Sequence, residues 1–233
     1  DFLSQSEPAP RKPVSLPASL PAGQPQVELR NVAFGYDDHT VLQSICLQVQ
    51  AGEQVTLAGR TGAGKSTVFK LLLGLYTPQS GSVLIEGVPA ADIADQDRRA
   101  LFGYVEQRFH QVPGTVRDQI TLYDPAISDQ AVRTAAKLAG LSDTIESLPQ
   151  SYDTPCTPEL FSQGQWQLLS IARAAAANPR MLLLDEITAN LDAETENTVL
   201  QALKRVSANR TVISISHRTG AQTGRVIPIE PAH

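Results

Sequence analysis

A chain of 233 residues, 42% of them hydrophobic, has enough apolar side chain for one large α/β domain or one domain with an inserted lobe. It contains no apolar run long enough for a transmembrane helix, and its net charge of −5 gives no basis for a nucleic-acid partner. The two cysteines, Cys46 and Cys156, lack metal-ligand spacing, so we expect free thiols in a reducing compartment.

The first 26 residues differ in composition from the rest of the chain. They have few large apolar side chains, and their prolines are Pro8, Pro10, Pro13, Pro17, Pro21 and Pro25. A semi-extended linker and a disordered tail both fit residues 1–26, and we predict one folded domain over residues 27–233. Because Met181 is the only methionine, we expect Asp1 to be an internal residue of a longer polypeptide.

Two β-prone segments begin the predicted domain. In the first, over residues 27–34, the apolar alternation slips at Arg30 and Asn31, which predicts a bulge. In the second, residues 45–50 alternate between apolar and polar, the period of a half-buried strand. We predict an N-terminal antiparallel β layer with Tyr36 in the turn at its tip.

The next segment carries the most specific motif of the chain. Glycine, four residues and then Gly-Lys-Ser is a phosphate-binding pattern, here followed by Thr67 and read as Gly59-Arg60-Thr61-Gly62-Ala63-Gly64-Lys65-Ser66. An apolar β-prone segment precedes it at residues 54–58, and helical spacing follows at residues 68–73. A glycine loop between a strand and a helix N-terminus directs backbone N–H groups at an anion, so we predict bound nucleotide phosphates.

The middle of the chain changes from strand to helix. Short strands are predicted at residues 83–85 and 104–107, the second ending in Gln107. Helical patterns then predict an inserted lobe over about residues 109–178. Its last helix begins at Ser162-Gln163-Gly164-Gln165, where Ser162 and Gln165 have the spacing of a capping box.

The C-terminal part alternates buried strands with a helix. One all-apolar strand ends in Asp185 and Glu186, and another precedes His217. Asp192 is the predicted N-cap of the helix between them, and Pro228 confines the last strand to a sheet edge. The predicted fold class is α/β, a P-loop NTPase core with a mostly parallel sheet, the N-terminal antiparallel β layer and the inserted helical lobe.

Ligands of open α/β sheets bind at the carboxyl ends of the strands, so these polar residues should share one site. Lys65 would contact the β- and γ-phosphates, and Ser66 and Asp185 would hold Mg²⁺. Glu186 would act as general base on the attacking water, with His217 at the γ-phosphate. Tyr36 either stacks on adenine or packs as an ordinary hairpin aromatic residue.

This set of motifs resembles the nucleotide-binding domain of an ABC transporter over residues 27–230. The resemblance is carried, in chain order, by the phosphate loop, Gln107, Ser162-Gln163-Gly164-Gln165, Leu182-Leu183-Leu184-Asp185-Glu186, Ala189-Asn190-Leu191-Asp192 and His217. Residues 114–120 and 148–154 resemble exporter-type members, whose ATPase domain follows the membrane helices in the same polypeptide.

The resemblance implies ATP and Mg²⁺ as cofactors and a head-to-tail dimer with a second, identical or homologous, ATP-binding domain. The phosphate loop of one copy and the segment from Ser162 to Gln165 of the other would enclose ATP. Tyr36 matches the adenine-stacking position, Gln107 the glutamine that senses Mg²⁺, and His217 the switch histidine. Asp192 matches the loop that crosses the dimer interface. The implied location is the cytoplasmic face of an inner or plasma membrane.

Two segments depart from the family pattern. The family signature is Leu-Ser-Gly-Gly-Gln, and here it is Phe161-Ser162-Gln163-Gly164-Gln165, with bulk at Gln163 where the backbone ordinarily approaches the nucleotide. The preceding residues 157–160 also differ from the usual exporter pattern. We therefore expect a slower or weaker site where this signature completes it, and a heterodimer with two unequal sites fits the departure.

The sequence thus predicts an Mg-ATP-hydrolysing domain that drives an attached exporter. A soluble ABC-type ATPase of DNA repair or translation would carry the same site residues and remains the alternative. A GTPase switch is disfavoured because the chain has no Asn-Lys-x-Asp segment for reading guanine. A domain that only binds nucleotide is disfavoured by the presence of Glu186 and His217.

Overall fold

The computed structural model of the chain describes residues 13–17, 20–21, 23–37, 39–187, 191–216 and 224–231. The strands in these ranges are β1 Val27–Tyr36, β2 His39–Val49, β3 Gln54–Ala58, β4 Ser80–Ile85, β5 Val88–Pro89, β6 Phe102–Val105, β7 Met181–Asp185, β8 Thr211–Ile215 and β9 Arg225–Pro228. The helices are α1 Lys65–Leu72, α2 Asp95–Leu101, α3 Val116–Thr121, α4 Asp129–Ala139, α5 Ser142–Glu146, α6 Gln163–Ala176 and α7 Ala193–Val206.

The N-terminal antiparallel layer is confirmed and is larger than predicted. Its strand order is β2-β1-β4-β5, so β4 and β5 extend the predicted pair of strands. The pairing of β1 with β2 shifts register between Leu29 and Val32, and Asn31 has a φ of 47°. The bulge is therefore where the interrupted alternation predicts it.

The second sheet is parallel, in the order β6-β7-β8-β3-β9. Ile215 of β8 lies opposite Asp185 of β7 on one side and opposite Leu57 of β3 on the other. The phosphate loop after β3 and the carboxylates at the end of β7 consequently leave the sheet at the same edge. Pro228 lies in the edge strand β9, as predicted.

The helical segment between β6 and β7 packs around α6. Its apolar side chains form one cluster with the buried faces of β6, β7 and α7, whereas the two sheets and α1 share a second cluster. Capping boxes begin α3 at Thr115 and α6 at Ser162, the latter as predicted. Sequence reasoning did not predict α2 or β5.

Part of the Pro-rich segment lies along the domain. The Val14 N–H donates to Asp92 O at 2.7 Å, and the Leu16 N–H donates to Asp97 Oδ2 at 3.3 Å. Leu16 is half-buried against the cluster of the two sheets. Among the described residues, no helix is both long and apolar enough to cross a membrane.

Candidate nucleotide-binding site

The predicted phosphate loop connects β3 to α1, and two glycines in it are required by the backbone. A Cβ at Gly59 would collide with the carbonyl of Ile229, which follows β9. Gly64 is the N-cap of α1 with a φ of 90°, a left-handed conformation that favours glycine. Since α1 begins at Lys65, its first backbone N–H groups have no acceptor within the helix and are available to an anion.

The Lys65 side chain lies inside the loop. Its ammonium donates to the carbonyl oxygens of Gly59 and Arg60, both at 2.9 Å, and the residue is only 5% exposed. Burial lowers the pKa of Lys65, and the carboxylates of Glu186 and Asp185 oppose that shift. The lysine and the two carboxylates are thus close enough to interact electrostatically across the sheet edge.

Asp185 is the last residue of β7 and is partly buried. Its Oδ2 accepts a hydrogen bond from the Tyr104 hydroxyl at 3.2 Å, and the Ser66 hydroxyl also hydrogen-bonds to its carboxylate. Burial raises the pKa of Asp185, with the Tyr104 hydrogen bond acting against it and the neighbouring Glu186 acting with it. Tyr104 was missed from sequence, because its contact with Asp185 depends on the pairing of β6 with β7.

Glu186 follows Asp185 in a left-handed conformation, with a φ of 46°. Such a conformation costs a non-glycine residue on the order of 1 kcal/mol and is frequent at functional sites. Its N–H donates to Ile215 O at 3.2 Å, which holds the turn against the end of β8. The strained turn places Glu186 directly after the strand that ends beside Lys65 and Ser66.

The oxygen atoms of this edge fit Mg²⁺. Mg²⁺ is ordinarily held by one or two protein ligands together with substrate phosphates and water. The hydrogen bond between Ser66 and Asp185 already brings a hydroxyl and a carboxylate together. Among the described residues, no group of three or more His, Cys, Asp or Glu side chains forms a metal cage, and Mg-ATP needs none.

Tyr36 lies at the end of β1 in an aromatic group with Phe34 and Tyr76. Its ring meets Phe34 edge-on at 5.0 Å and Tyr76 edge-on at 5.5 Å between centroids. The Lys70 ammonium lies 5.4 Å from the ring centre of Tyr36. These contacts fix the orientation of the half-buried Tyr36 ring. The arrangement is compatible both with stacking on adenine and with packing as an ordinary hairpin aromatic residue.

Gln107 is exposed and lies two residues beyond the end of β6. Because Val105 pairs with Leu184, the segment after β6 leaves the sheet next to Asp185 and Glu186. His217, together with Ala189 and Asn190, lies outside the described residues. The described residue nearest to it in sequence, Ser216, follows β8, whose last residue is opposite Asp185.

The segment from Ser162 to Gln165 forms the first turn of α6. The Ser162 hydroxyl accepts from the Gln165 N–H, and Gln165 Oε1 accepts from the Ser162 N–H at 2.9 Å. A Cβ at Gly164 would collide with the Thr195 methyl group in the first turn of α7. Gly164 therefore has a packing role within this chain, which sequence reasoning missed.

Asp192 is the N-cap of α7, as predicted. Its Oδ1 accepts from the N–H groups of Glu194 at 3.1 Å and Thr195 at 3.0 Å, and the Thr195 hydroxyl donates to Oδ2 at 2.6 Å. Hydrogen bonds from Thr195 lower the pKa of Asp192. Thr195 thus connects the cap of α7 to Gly164 in the first turn of α6.

Comparison with known proteins gives a consistent result. A family model described as ABC transporter matches residues 42–189. The alpha-hemolysin translocation ATP-binding protein HlyB of Escherichia coli O157:H7 is 38% identical over 217 residues, covering 91% of this chain and 31% of HlyB. The ATM1-type heavy metal exporter of Novosphingobium aromaticivorans is 38% identical over 203 residues, covering 86% of this chain and 33% of the exporter.

A solved structure also resembles the fold. The structure of a bacterial Atm1-family ABC exporter with ATP bound has a TM-score of 0.80 and 33% identity to this chain, covering 97% of this chain and 39% of that one. The chain spans about a third of the length of the curated relatives it matches.

Proposed function

The chain belongs to the ABC transporter family, and from this premise we propose that it is the ATP-binding and ATP-hydrolysing domain of an exporter. Closure of a dimer around ATP would drive transport by attached membrane helices. The observation that carries the proposal is the convergence of Lys65, Ser66, Asp185 and Glu186 at one edge of the parallel sheet.

The phosphate loop binds and orients the nucleotide. The N–H groups at the start of α1 donate hydrogen bonds to the phosphate oxygens, and the Lys65 ammonium contacts the β- and γ-phosphates. Because Lys65 already lies inside the loop, it exchanges the carbonyls of Gly59 and Arg60 for phosphate oxygens over a short distance. Its low exposure strengthens that interaction, since less water competes for the charge.

Ser66 and Asp185 hold Mg²⁺ when it is bound, and the cation offsets charge on the β- and γ-phosphates. Glu186 accepts a proton from the attacking water as general base. Gln107 and His217 would complete the γ-phosphate end of the site, Gln107 as a further Mg²⁺ contact.

A second ATP-binding domain would supply the remaining wall of the site. In the head-to-tail dimer, Ser162, Gln163, Gly164 and Gln165 of one copy would face the phosphate loop of the other, with Asp192 at the interface. The bulk of Gln163 favours a slower site and is compatible with a heterodimer. The dimer would lie at the cytoplasmic face of a membrane, joined through the Pro-rich segment to helices upstream in the same polypeptide.

The alternative of a soluble ATPase in DNA repair or translation is not favoured. The two relatives named above are described as a translocation ATP-binding protein and a heavy metal exporter, and the net charge of −5 gives no support for a nucleic-acid partner.

The test of the proposal is ATP binding and phosphate release by the purified chain, alone and joined to its native membrane portion. We expect Mg-dependent binding and hydrolysis, and a loss of ATP affinity of about tenfold or more in Lys65→Ala, which removes a charge-assisted hydrogen-bond donor. A protein that neither binds nor hydrolyses ATP in either form would refute the proposed function.

A further inference from the structure

Helix α6 contacts the segment that carries Gln107 through an aromatic side chain of that segment, Phe109. The Phe109 ring contacts the side chains of Trp166 and Arg173, both on α6. The ring centroids of Phe109 and Trp166 are 4.9 Å apart with 31° between their planes, and Arg173 Cζ lies 4.1 Å from the centre of the Phe109 ring. Trp166 and Arg173 are about two helical turns apart on one face of α6, so their side chains form a clamp that holds the Phe109 ring at two points along the helix.

Two hydrogen bonds attach the backbone of the same segment to the same helix. Gln167 Nε2 donates to Glu106 O at 3.5 Å, and Arg173 Nη1 donates to His110 O at 2.9 Å. Gln107 lies between these two carbonyl groups along the chain. The segment over residues 106–110 is therefore attached to α6 on both sides of Gln107 and at Phe109.

The Arg173 side chain of this clamp is held in place by hydrogen bonds. Its Nε donates to Gln119 O at 2.6 Å, so α3 fixes the guanidinium while α6 carries it. Burial lowers the pKa of Arg173 to about 10, which leaves the group charged at neutral pH. A guanidinium withdrawn from water attracts an aromatic face more strongly than an exposed one, so Phe109 is held by charge as well as by packing.

Trp166 connects the clamp to the start of the helix. Its ring meets Phe161 edge-on at 5.2 Å, and its Nε1 donates to Pro158 O at 3.3 Å. Phe161 precedes the N-cap residue Ser162, so the pair forms a hydrophobic staple that fixes how the chain enters α6. The rings of Phe109, Trp166 and Phe161 thus form a continuous contact from the segment of Gln107 to the residue before Ser162.

We propose that Phe109 is a positioning residue for Gln107, because its ring attaches the segment that carries Gln107 to one face of α6. The inference rests on the proposed function, in which Gln107 contacts Mg²⁺ and Ser162 faces ATP of the second domain.

The test uses the full chain and two binding measurements with a fluorescent ATP analogue. The first is nucleotide affinity in EDTA, which reports the phosphate loop alone. The second is the Mg²⁺ concentration at half-maximal Mg-dependent binding, which reports the Mg²⁺ contacts. The variants are Phe109→Leu, Trp166→Leu, Gln107→Ala and the double variant of Phe109 and Gln107. Tyr152→Leu is the matched control, since Arg133 Cζ lies 4.8 Å from the centre of the Tyr152 ring elsewhere in the helical lobe.

We expect Phe109→Leu and Trp166→Leu to raise the Mg²⁺ midpoint about threefold or more while the affinity in EDTA is unchanged. The double variant should have the midpoint of Gln107→Ala, because Phe109 acts through Gln107. Tyr152→Leu should lower the unfolding temperature and leave the Mg²⁺ midpoint unchanged.

Other outcomes separate this inference from the proposed function. If Phe109→Leu lowers only the unfolding temperature, or if its effect adds fully to that of Gln107→Ala, Phe109 has no positioning role. If the wild-type chain binds no ATP in EDTA or in Mg²⁺, the proposed function fails and this inference fails with it.

Discussion

The Tyr104 hydroxyl donates a hydrogen bond of 3.2 Å to Asp185 Oδ2, from β6 to the end of the neighbouring strand β7. This bond stabilises a carboxylate that burial otherwise disfavours, since the pKa of Asp185 is raised despite it. The domain therefore holds a partly desolvated negative charge where Mg²⁺ is proposed to bind. A charge kept in place for a ligand is expected to reduce the stability of the protein without that ligand.

Asp185→Asn is accordingly predicted to stabilise the nucleotide-free chain at neutral pH. The native protein binds the Asp185 proton more tightly than the unfolded chain does, so wild-type stability from this group declines as pH rises from 3.8 through the raised pKa. The variant has no carboxyl group at this position, so its free energy of unfolding should exceed that of wild type at pH values above that range. Each kcal/mol gained would raise the unfolding temperature by roughly 2–4 °C at this chain length.

Thermal unfolding at several pH values measures this effect. The same variant should lose Mg-dependent ATP binding. Tyr104→Phe is the matched control, because it removes the hydroxyl and leaves the carboxylate, and it should lower the unfolding temperature at neutral pH. If the Asp185→Asn variant is less stable than wild type at neutral pH, the Asp185 carboxylate does not reduce the stability of the nucleotide-free chain.

Gly164→Ala is predicted to be destabilising because its Cβ would collide with the Thr195 methyl group. Overpacking of this kind costs about 1–3 kcal/mol. Thr195→Ser removes that methyl group and keeps the hydroxyl that donates to Asp192. Combining Thr195→Ser with Gly164→Ala should therefore recover most of the stability that Gly164→Ala loses. Denaturant unfolding of both single variants and the double variant measures the coupling, and purely additive losses would contradict the contact.

Gln163→Gly, which restores the third residue of the family signature, is predicted to raise the hydrolysis rate of the dimer. Gln163 is the first residue of α6 and is exposed, so the change costs at most about 1 kcal/mol of helix stability. Phosphate release per chain, measured across chain concentrations, tests it. Gln163→Ala is the control, because it removes bulk and retains helix propensity; if neither variant is faster than wild type, Gln163 does not limit the site.

The elements with a short-range sequence pattern could be predicted, because each pattern involves only residues that are close together in the chain. The glycine loop, the strand that ends in Asp185 and the capping box at Ser162 all have short-range signals, and the structure places them as expected. The two-residue strand β5 and the short helix α2 were missed. The strand β5 has only two residues, and α2 buries a single residue, Leu101, so neither element shows an apolar period in the sequence.

Contacts between elements could not be predicted, because they depend on which strands and helices become neighbours. Tyr104 reaches Asp185 only because β6 lies beside β7, and Phe109 enters the face of α6 only because the helical lobe folds back on that segment. Gly164 was attributed to nucleotide binding alone, and its packing against Thr195 needed the positions of both helices. The roles of the site residues remain predictions that the variants above test.

The most direct test of the account compares phosphate release by wild type and Glu186→Gln at saturating Mg-ATP, with bound nucleotide and oligomeric state measured in parallel. The variant keeps the size of the side chain and removes the base, so hydrolysis should fall about 10²–10⁴-fold. ATP should stay bound and the chain should accumulate as an ATP-bound dimer. Equal turnover in wild type and Glu186→Gln would contradict Glu186 as the general base of this ATPase.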